Sequence, residues 1–122
     1  WVAEHVYIGA YSRIVSVVLG HPVVFGSNLA LRATAWRAVR DRVHRETREV
    51  HDDFDIAIKL EPGGGIRFDR TLRVGVSARP FASASGFARR IDWAFRTMAI
   101  NHRDESLWHR RRRWTATRRG DA

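Results

Sequence analysis

Three carboxylates stand within four residues of one another near the middle of this 122-residue chain, at Asp52, Asp53 and Asp55. Aspartate is common in the first turn of a helix because its charge complements the helix dipole, so capping alone could account for them. Carboxylates this close also repel one another, and a metal ion, a substrate or an arginine would relieve that repulsion. A carboxylate at the mouth of a pocket can also act as a general base on a hydroxyl group. The three aspartates therefore indicate either a helix start or a catalytic site.

A second candidate site is the turn formed by Gly26, Ser27 and Asn28. A glycine after a strand usually just permits a turn. The functional interpretation is that the backbone approaches a ligand closely here, with Asn28 available to hydrogen-bond hydroxyl groups. Arg32 follows four residues later. It can pair with an acidic side chain or with a phosphate, and a structural ion pair is the simpler interpretation.

The sequence patterns of helices and strands alternate along the chain, and these elements would position the candidate residues. The stretch 51–60 is ambiguous, because its apolar residues alternate as in a strand while the leading aspartates and the following Pro62 favour a helix, which we predict. The order of elements predicts an α/β fold with an incomplete mixed sheet and flanking helices. The predicted helices are 1–19, 35–43 with Thr34 as cap, 52–60, and one beginning at Ser83 or Ser85; the predicted strands are 23–25, 66–68 and 72–77; residues 44–50 are predicted as a solvated loop.

The composition of the chain limits the kinds of partner and site that it can have. The net charge is +9, and Lys59 is the only lysine, so arginine carries almost all of the positive charge. Nucleic acid, an anionic membrane, a phosphate-bearing substrate or an acidic protein could each accept it. The chain has no cysteine, which excludes disulfides and thiolate metal sites, and its six histidines lack ligand spacing, so we predict no metal site. The apolar segment 6–19 is short of the roughly 20 residues needed to span a membrane.

The order of these motifs resembles the second half of family 2 glycosyltransferases. In that family a Gly-x-Asn-x-x-x-Arg segment precedes an acidic pair, and a short helix of the pattern Asp-Leu-Ala-x-Arg-Leu follows. A strand leading to the end of the domain comes next, and residues 66–69 with 72–77 are similar to it. The resemblance covers residues 22–93, and it is carried by Phe25-Gly26-Ser27-Asn28-Leu29-Ala30-Leu31-Arg32, Trp36 and Val50-His51-Asp52-Asp53-Phe54-Asp55-Ile56-Ala57.

The resemblance implies a partial GT-A fold, the fold of nucleotide-diphospho-sugar transferases. Residues 1–103 would form the C-terminal part of the catalytic domain, and residues 104–122 a basic tail. Because both ends of the sequence look cut, we expect a fragment without the nucleotide-binding half, inactive alone. The family's metal-binding Asp-x-Asp motif would lie upstream, so the occurrence of the same pattern at Asp53-Phe54-Asp55 is interpreted as a coincidence.

The implied activity is inverting transfer of a sugar from a nucleotide-diphosphate donor to an acceptor hydroxyl. Asp53 would be the general base, and Asp52 would orient either the acceptor or its partner residue, Asp53. The divalent cation that the family uses, Mg²⁺ or Mn²⁺, would be held mainly by the missing half. Trp93 stands where processive members carry Gln-x-x-Arg-Trp, but the rest of that motif is replaced, which favours single-sugar transfer; Trp93 can equally be an ordinary surface aromatic. The residues expected to contact substrate are Gly26, Ser27, Asn28, Arg32 and Trp93.

The main alternative is a basic module that binds nucleic acid or an anionic membrane. No helix-turn-helix, RNA-binding strand motif or zinc-finger spacing supports nucleic acid, so we do not expect it as a partner. Peripheral contact of the basic tail with a membrane would place the protein in the cytoplasm, at the cytoplasmic face. A carboxylate hydrolase built on Asp52 and Asp53 would lack a second acidic group across a cleft. The residues of the basic module would be Trp108, Arg110, Arg111, Arg112, Arg113 and Trp114.

Overall fold

The computed structural model describes residues 2–62, 65–69, 71–72, 74–75 and 83–120. In this part of the chain there are five α-helices and one short 3-10 turn, and no β-strand. The helices are α1 (Val2–Leu19), α2 (Ala33–Val39), α3 (Asp52–Lys59), α4 (Ala84–Asp104) and α5 (Leu107–Gly120), and the 3-10 turn is Gly26–Asn28.

The predicted α/β fold is therefore wrong, and so is the identification as a family 2 glycosyltransferase, because a GT-A fold requires a mixed sheet. The apolar residues of 23–25 and 66–68 suit strands, but a strand also needs a neighbour that accepts its backbone hydrogen bonds. The N–H of Val23 donates instead to the hydroxyl of Ser16 at 3.2 Å. Residues 66–68, 72, 74 and 75 form no regular structure, and 73, 76 and 77 lie outside the described residues.

Helix α1 confirms the prediction for the first segment and ends where Gly20 was expected to end it. Gly20 has φ +79, the left-handed conformation that glycine adopts at helix ends. A Cβ at this position would lie 3.0 Å from the Cβ of Trp114 and 3.1 Å from the carbonyl oxygen of Arg111, both on α5. Gly20 thus ends α1 and lets α5 pack closely against it. No helix within the described residues is long and apolar enough to cross a membrane.

Helix α3 confirms the helical interpretation of the ambiguous segment. Its apolar residues alternate because the helix is covered on two sides: Phe54, Ala57 and Ile58 belong to one buried cluster, and Ile56 and Leu60 to another. The first cluster also contains residues of α1, and the second contains residues of α2 and α5. Because α3 is packed between these two clusters, the position of its first turn, which carries the aspartates, is set by the core.

Helices α2 and α4 differ from their predictions in detail. The N-cap of α2 is Arg32 without a side-chain cap, rather than Thr34, and the helix stops at Val39. Ser83 caps α4 as expected, since its hydroxyl accepts from the N–H of Gly86 at 3.1 Å. The predicted apolar face of α4 includes Phe95, which is 63% exposed. The buried residues of α4 are polar instead. The side-chain amide of Asn101 donates to the carboxylate of Asp55, and the hydroxyl of Thr97 accepts from the backbone N–H of His51.

Candidate functional site

Asp53 and the glycine turn meet in the structure. The Oδ2 atom of Asp53 accepts a hydrogen bond from the backbone N–H of Gly26 at 2.8 Å, and its Oδ1 accepts from the N–H of Phe54 at 2.8 Å. The carboxylate is half-buried at the start of α3. A Cβ on Gly26 would lie 3.1 Å from the Cβ of Asp53 and 3.3 Å from its Oδ2, so a side chain here would require Asp53 to shift by a few tenths of an ångström. The start of α3 and the glycine turn are therefore in direct contact.

The three aspartates point in different directions, which is how the structure relieves their mutual repulsion. Asp52 is exposed, whereas Asp55 is 1% exposed. Asp55 accepts hydrogen bonds from the backbone N–H of His44 at 2.7 Å and the side-chain amide of Asn101 at 2.6 Å, and the Nδ1 atom of His44 lies 2.9 Å from its Oδ1. Asp55 is therefore a structural anchor that joins α3 to α4 and to the segment before α3.

This anchor continues to the surface through His44. Its Nε2 lies 3.1 Å from the Oδ2 atom of Asp104, which also forms an ion pair with Lys59. The hydrogen bond from Lys59 holds the pKa of Asp104 below its usual range. Sequence reasoning placed His44 in a solvated loop and overlooked Asn101. The signal that it missed was Thr97 and Asn101, two polar residues four apart on α4, both nearly fully buried.

The remaining residues predicted to contact substrate have different surroundings, and none of them has a described bond to Asp53. Ser27 is exposed on the turn, and the amide of Asn28 donates to the carbonyl oxygen of Leu72 at 3.2 Å. Arg32 is exposed at the N-cap of α2 and forms no ion pair among the described residues. Trp93 is half-buried, and its ring centroid lies 5.8 Å from that of His51, the residue before Asp52.

A cavity of about 450 Å³ opens between α2, the segment 43–50 and α3; we call it the α2–α3 cavity. Asp52 lies in its wall, one residue from the Asp53 carboxylate that contacts Gly26. A pocket with an apolar wall and a few polar groups is the usual form of a small-molecule site. Its lining residues are Trp36, Val43, His44, Arg45, Thr47, Arg48, Val50, Asp52, Asp55 and Ile56.

Arg110, the first residue of the predicted basic cluster, is buried rather than available to a partner. It is 2% exposed, and its guanidinium donates to the carbonyl oxygens of Leu19 at 3.1 Å, Ala57 at 2.7 Å and Leu60 at 3.2 Å, and also to that of Ile58. These carbonyls belong to the C-terminal ends of α1 and α3, where helices have unsatisfied acceptors. Burial lowers the pKa of Arg110 to about 10, which leaves it charged at neutral pH.

The other arginines of the cluster differ in their surroundings. Arg113 pairs with Glu61 and Glu105, Arg112 is exposed, and Arg111 is half-buried. Only part of the predicted basic cluster therefore faces solvent without an acidic partner in the described part of the chain.

The expected divalent cation has no ligand set in the described part of the chain, where no three His, Asp or Glu side chains converge to hold a metal ion. The Asp53 and Asp55 carboxylates of the Asp-x-Asp spelling point to different partners, Gly26 and His44. The described residues thus do not fit the cation, which stays a prediction from the resemblance.

Comparison with known protein families, with curated proteins and with solved structures finds no match for this chain.

Proposed function

We propose that this chain provides the acceptor side of a sugar-transfer site, in which Asp53 removes the proton from the acceptor hydroxyl. The observation that supports the proposal is the 2.8 Å contact between half-buried Asp53 and exposed Gly26, made across 27 residues of sequence. Two backbone N–H groups orient the carboxylate, and a positioned base of this kind accelerates a reaction typically about 10²–10⁴-fold.

The proposed step is a displacement at the sugar's anomeric carbon. As the acceptor O–H proton passes to the Asp53 carboxylate, the acceptor oxygen forms a bond to the anomeric carbon. The bond between that carbon and the donor phosphate breaks, and the nucleoside diphosphate leaves with the bonding electrons. Attack from the face opposite the leaving group inverts the configuration. Asn28, on the same turn as Gly26, is the side chain proposed to orient the acceptor.

Gly26→Ala tests whether the close approach matters. The added methyl would lie 3.1–3.3 Å from Asp53 atoms, so the carboxylate must shift by a few tenths of an ångström. We expect transfer by the full-length protein to fall about tenfold or more, because misplacing reacting groups by about 1 Å can cost 10²-fold. The matched control is Gly9→Ala in α1, where a Cβ meets nothing within 4 Å. Unchanged transfer by Gly26→Ala, measured with a panel of nucleotide sugars, would contradict the proposal.

A second candidate function is contact with an anionic membrane surface, at the cytoplasmic leaflet. The observation that favours it is an apolar surface beside positive charge: Ile14 and Val17 on α1 are 65% and 61% exposed. A groove of about 360 Å³ along Val17 also includes Phe68, which is 62% exposed, and Arg111. The Nε–H of Arg111 is buried without a hydrogen-bond partner among the described residues. Together with the net charge of +9, this surface complements anionic lipid.

The membrane candidate predicts that the full-length protein cosediments with phosphatidylglycerol-containing vesicles and less with pure phosphatidylcholine. Ile14→Ser combined with Val17→Ser should weaken binding about tenfold or more, since burying one such side chain contributes roughly 1.5–3 kcal/mol. Phe95→Ser is the control, because Phe95 is equally exposed but lies on α4. Equal losses for both variants, or equal binding to both vesicle types, would exclude this surface.

A further inference from the structure

The α2–α3 cavity carries positive charge that the proposed base does not use. Arg45 and Arg48 line it, both are exposed, and neither forms an ion pair with any described residue. The nearby glutamates do not neutralise them: Glu46 is not part of the cavity wall, and Glu49 pairs with Arg96. Two arginines facing one cavity without acidic partners suit an anionic ligand, because guanidinium groups bind phosphate and carboxylate oxygens in a fixed, forked geometry.

The acidic residues of the cavity do not cancel this charge. Asp55 is fully engaged by His44 and Asn101, as described above. His44 in turn lies within 3.1 Å of Asp104 on its other side. Asp52 is the remaining carboxylate of the wall, and it is exposed and forms no ion pair within the described residues. The cavity therefore offers two cationic groups and one acceptor of hydroxyl hydrogen bonds.

Apart from Thr47, the rest of the wall is apolar. The half-buried ring of Trp36 is joined there by Val43, Val50 and Ile56. An aromatic face is a suitable contact for the C–H side of a sugar ring, because it is large, rigid and apolar. At about 450 Å³ the cavity is within the size range of small-molecule sites.

We propose that the α2–α3 cavity binds an anionic saccharide, that is, a sugar bearing a phosphate or carboxylate group. Arg45 and Arg48 bind the anionic group, Trp36 contacts the ring, and Asp52 accepts hydrogen bonds from ring hydroxyls. This inference rests on the proposed function, since it assigns the chemical class of the acceptor. Asp53 follows Asp52 in the first turn of α3 but does not line the cavity, so the saccharide must extend beyond the cavity wall to present another hydroxyl to the base.

The test is a calorimetric titration of the full-length protein with four ligands: a hexose phosphate, a hexuronate, the neutral hexose and inorganic phosphate. We expect at least one of the two anionic sugars to bind tenfold or more tightly than both the neutral hexose and inorganic phosphate. Arg45→Gln combined with Arg48→Gln should weaken that binding at least tenfold. The matched control is Arg37→Gln combined with Arg40→Gln, which removes the same charge from α2 and the residue after it, outside the cavity wall.

Three results would overturn the inference. Equal affinity for inorganic phosphate and the anionic sugars would show a site for anions that does not recognise the sugar. Equal losses of affinity in the two double variants would show a general effect of charge. Absence of binding to either anionic sugar would show that the cavity does not bind this class of ligand. Circular dichroism of each variant checks that the helices are retained. Asp53→Asn separates the two proposals: if it binds the anionic sugar and still transfers sugar at the wild-type rate, the base assignment fails while the cavity assignment stands.

Discussion

Asp53→Asn is expected to lower the rate of sugar transfer by the full-length protein about 10²–10⁴-fold, the contribution typical of a positioned general base. Asparagine has nearly the same shape but keeps only one oxygen, which can accept the N–H of Gly26 or that of Phe54, whereas the carboxylate binds both at 2.8 Å. It cannot take up the acceptor proton. Single-turnover kinetics with a saturating donor would measure the loss, and calorimetry would show whether acceptor binding is retained.

The control for this variant is Asp41→Asn, which removes the same charge at an exposed site whose one ion pair within the described residues is with its neighbour Arg40. If Asp53 serves only to hold the glycine turn, Asp53→Asn will reduce the melting temperature and acceptor binding together with turnover. A loss confined to turnover agrees with the base assignment. Full turnover in Asp53→Asn rules it out.

Arg110→Met is expected to lower the free energy of unfolding by at least about 3 kcal/mol, because each buried acceptor that is left without a donor costs roughly 1–3 kcal/mol. Methionine has a similar length and can fill the apolar part of the space, but it leaves the carbonyls of Leu19, Ala57, Ile58 and Leu60 without this donor. It also removes a positive charge from the C-terminal ends of two helices, where cations are favourable. Urea denaturation followed by circular dichroism would measure the change.

Arg112→Met is the matched control, since it removes the same charge two residues away at an exposed position and should change stability by less than about 0.5 kcal/mol. If both variants lose the same amount, Arg110 is not a structural residue and becomes available to a partner. The comparison also bears on the basic-module alternative, because Arg110 was one of the four arginines assigned to it.

Local patterns predicted the helices well where a start and a stop signal were both present. Helix α1 ends at the glycine that the sequence indicated, α4 begins after its serine cap, and α3 begins at the aspartates. The strands were wrong because an apolar alternation shows only that a segment can be half-buried. A sheet also needs a neighbouring strand, and residues 23–25 and 66–68 have none among the described residues.

The family resemblance failed for a related reason. It depended on short motifs in the right order, and these motifs describe turns and helix starts that can occur in more than one fold. The Asp53–Gly26 contact does not depend on a sheet, because it joins a helix start to a turn.

The sequence by itself determined the charge of the protein, the absence of thiol chemistry, the aspartate-rich start of α3 and the glycine turn. Only the tertiary structure decided which aspartate faces what: Asp53 meets Gly26, Asp55 is buried against Asn101, and Asp52 faces the α2–α3 cavity. It likewise decided that Arg110 closes the ends of α1 and α3. The physical reason is that these contacts join residues 27 to 91 positions apart, and such partners are chosen by packing rather than by the residues next to them in the chain.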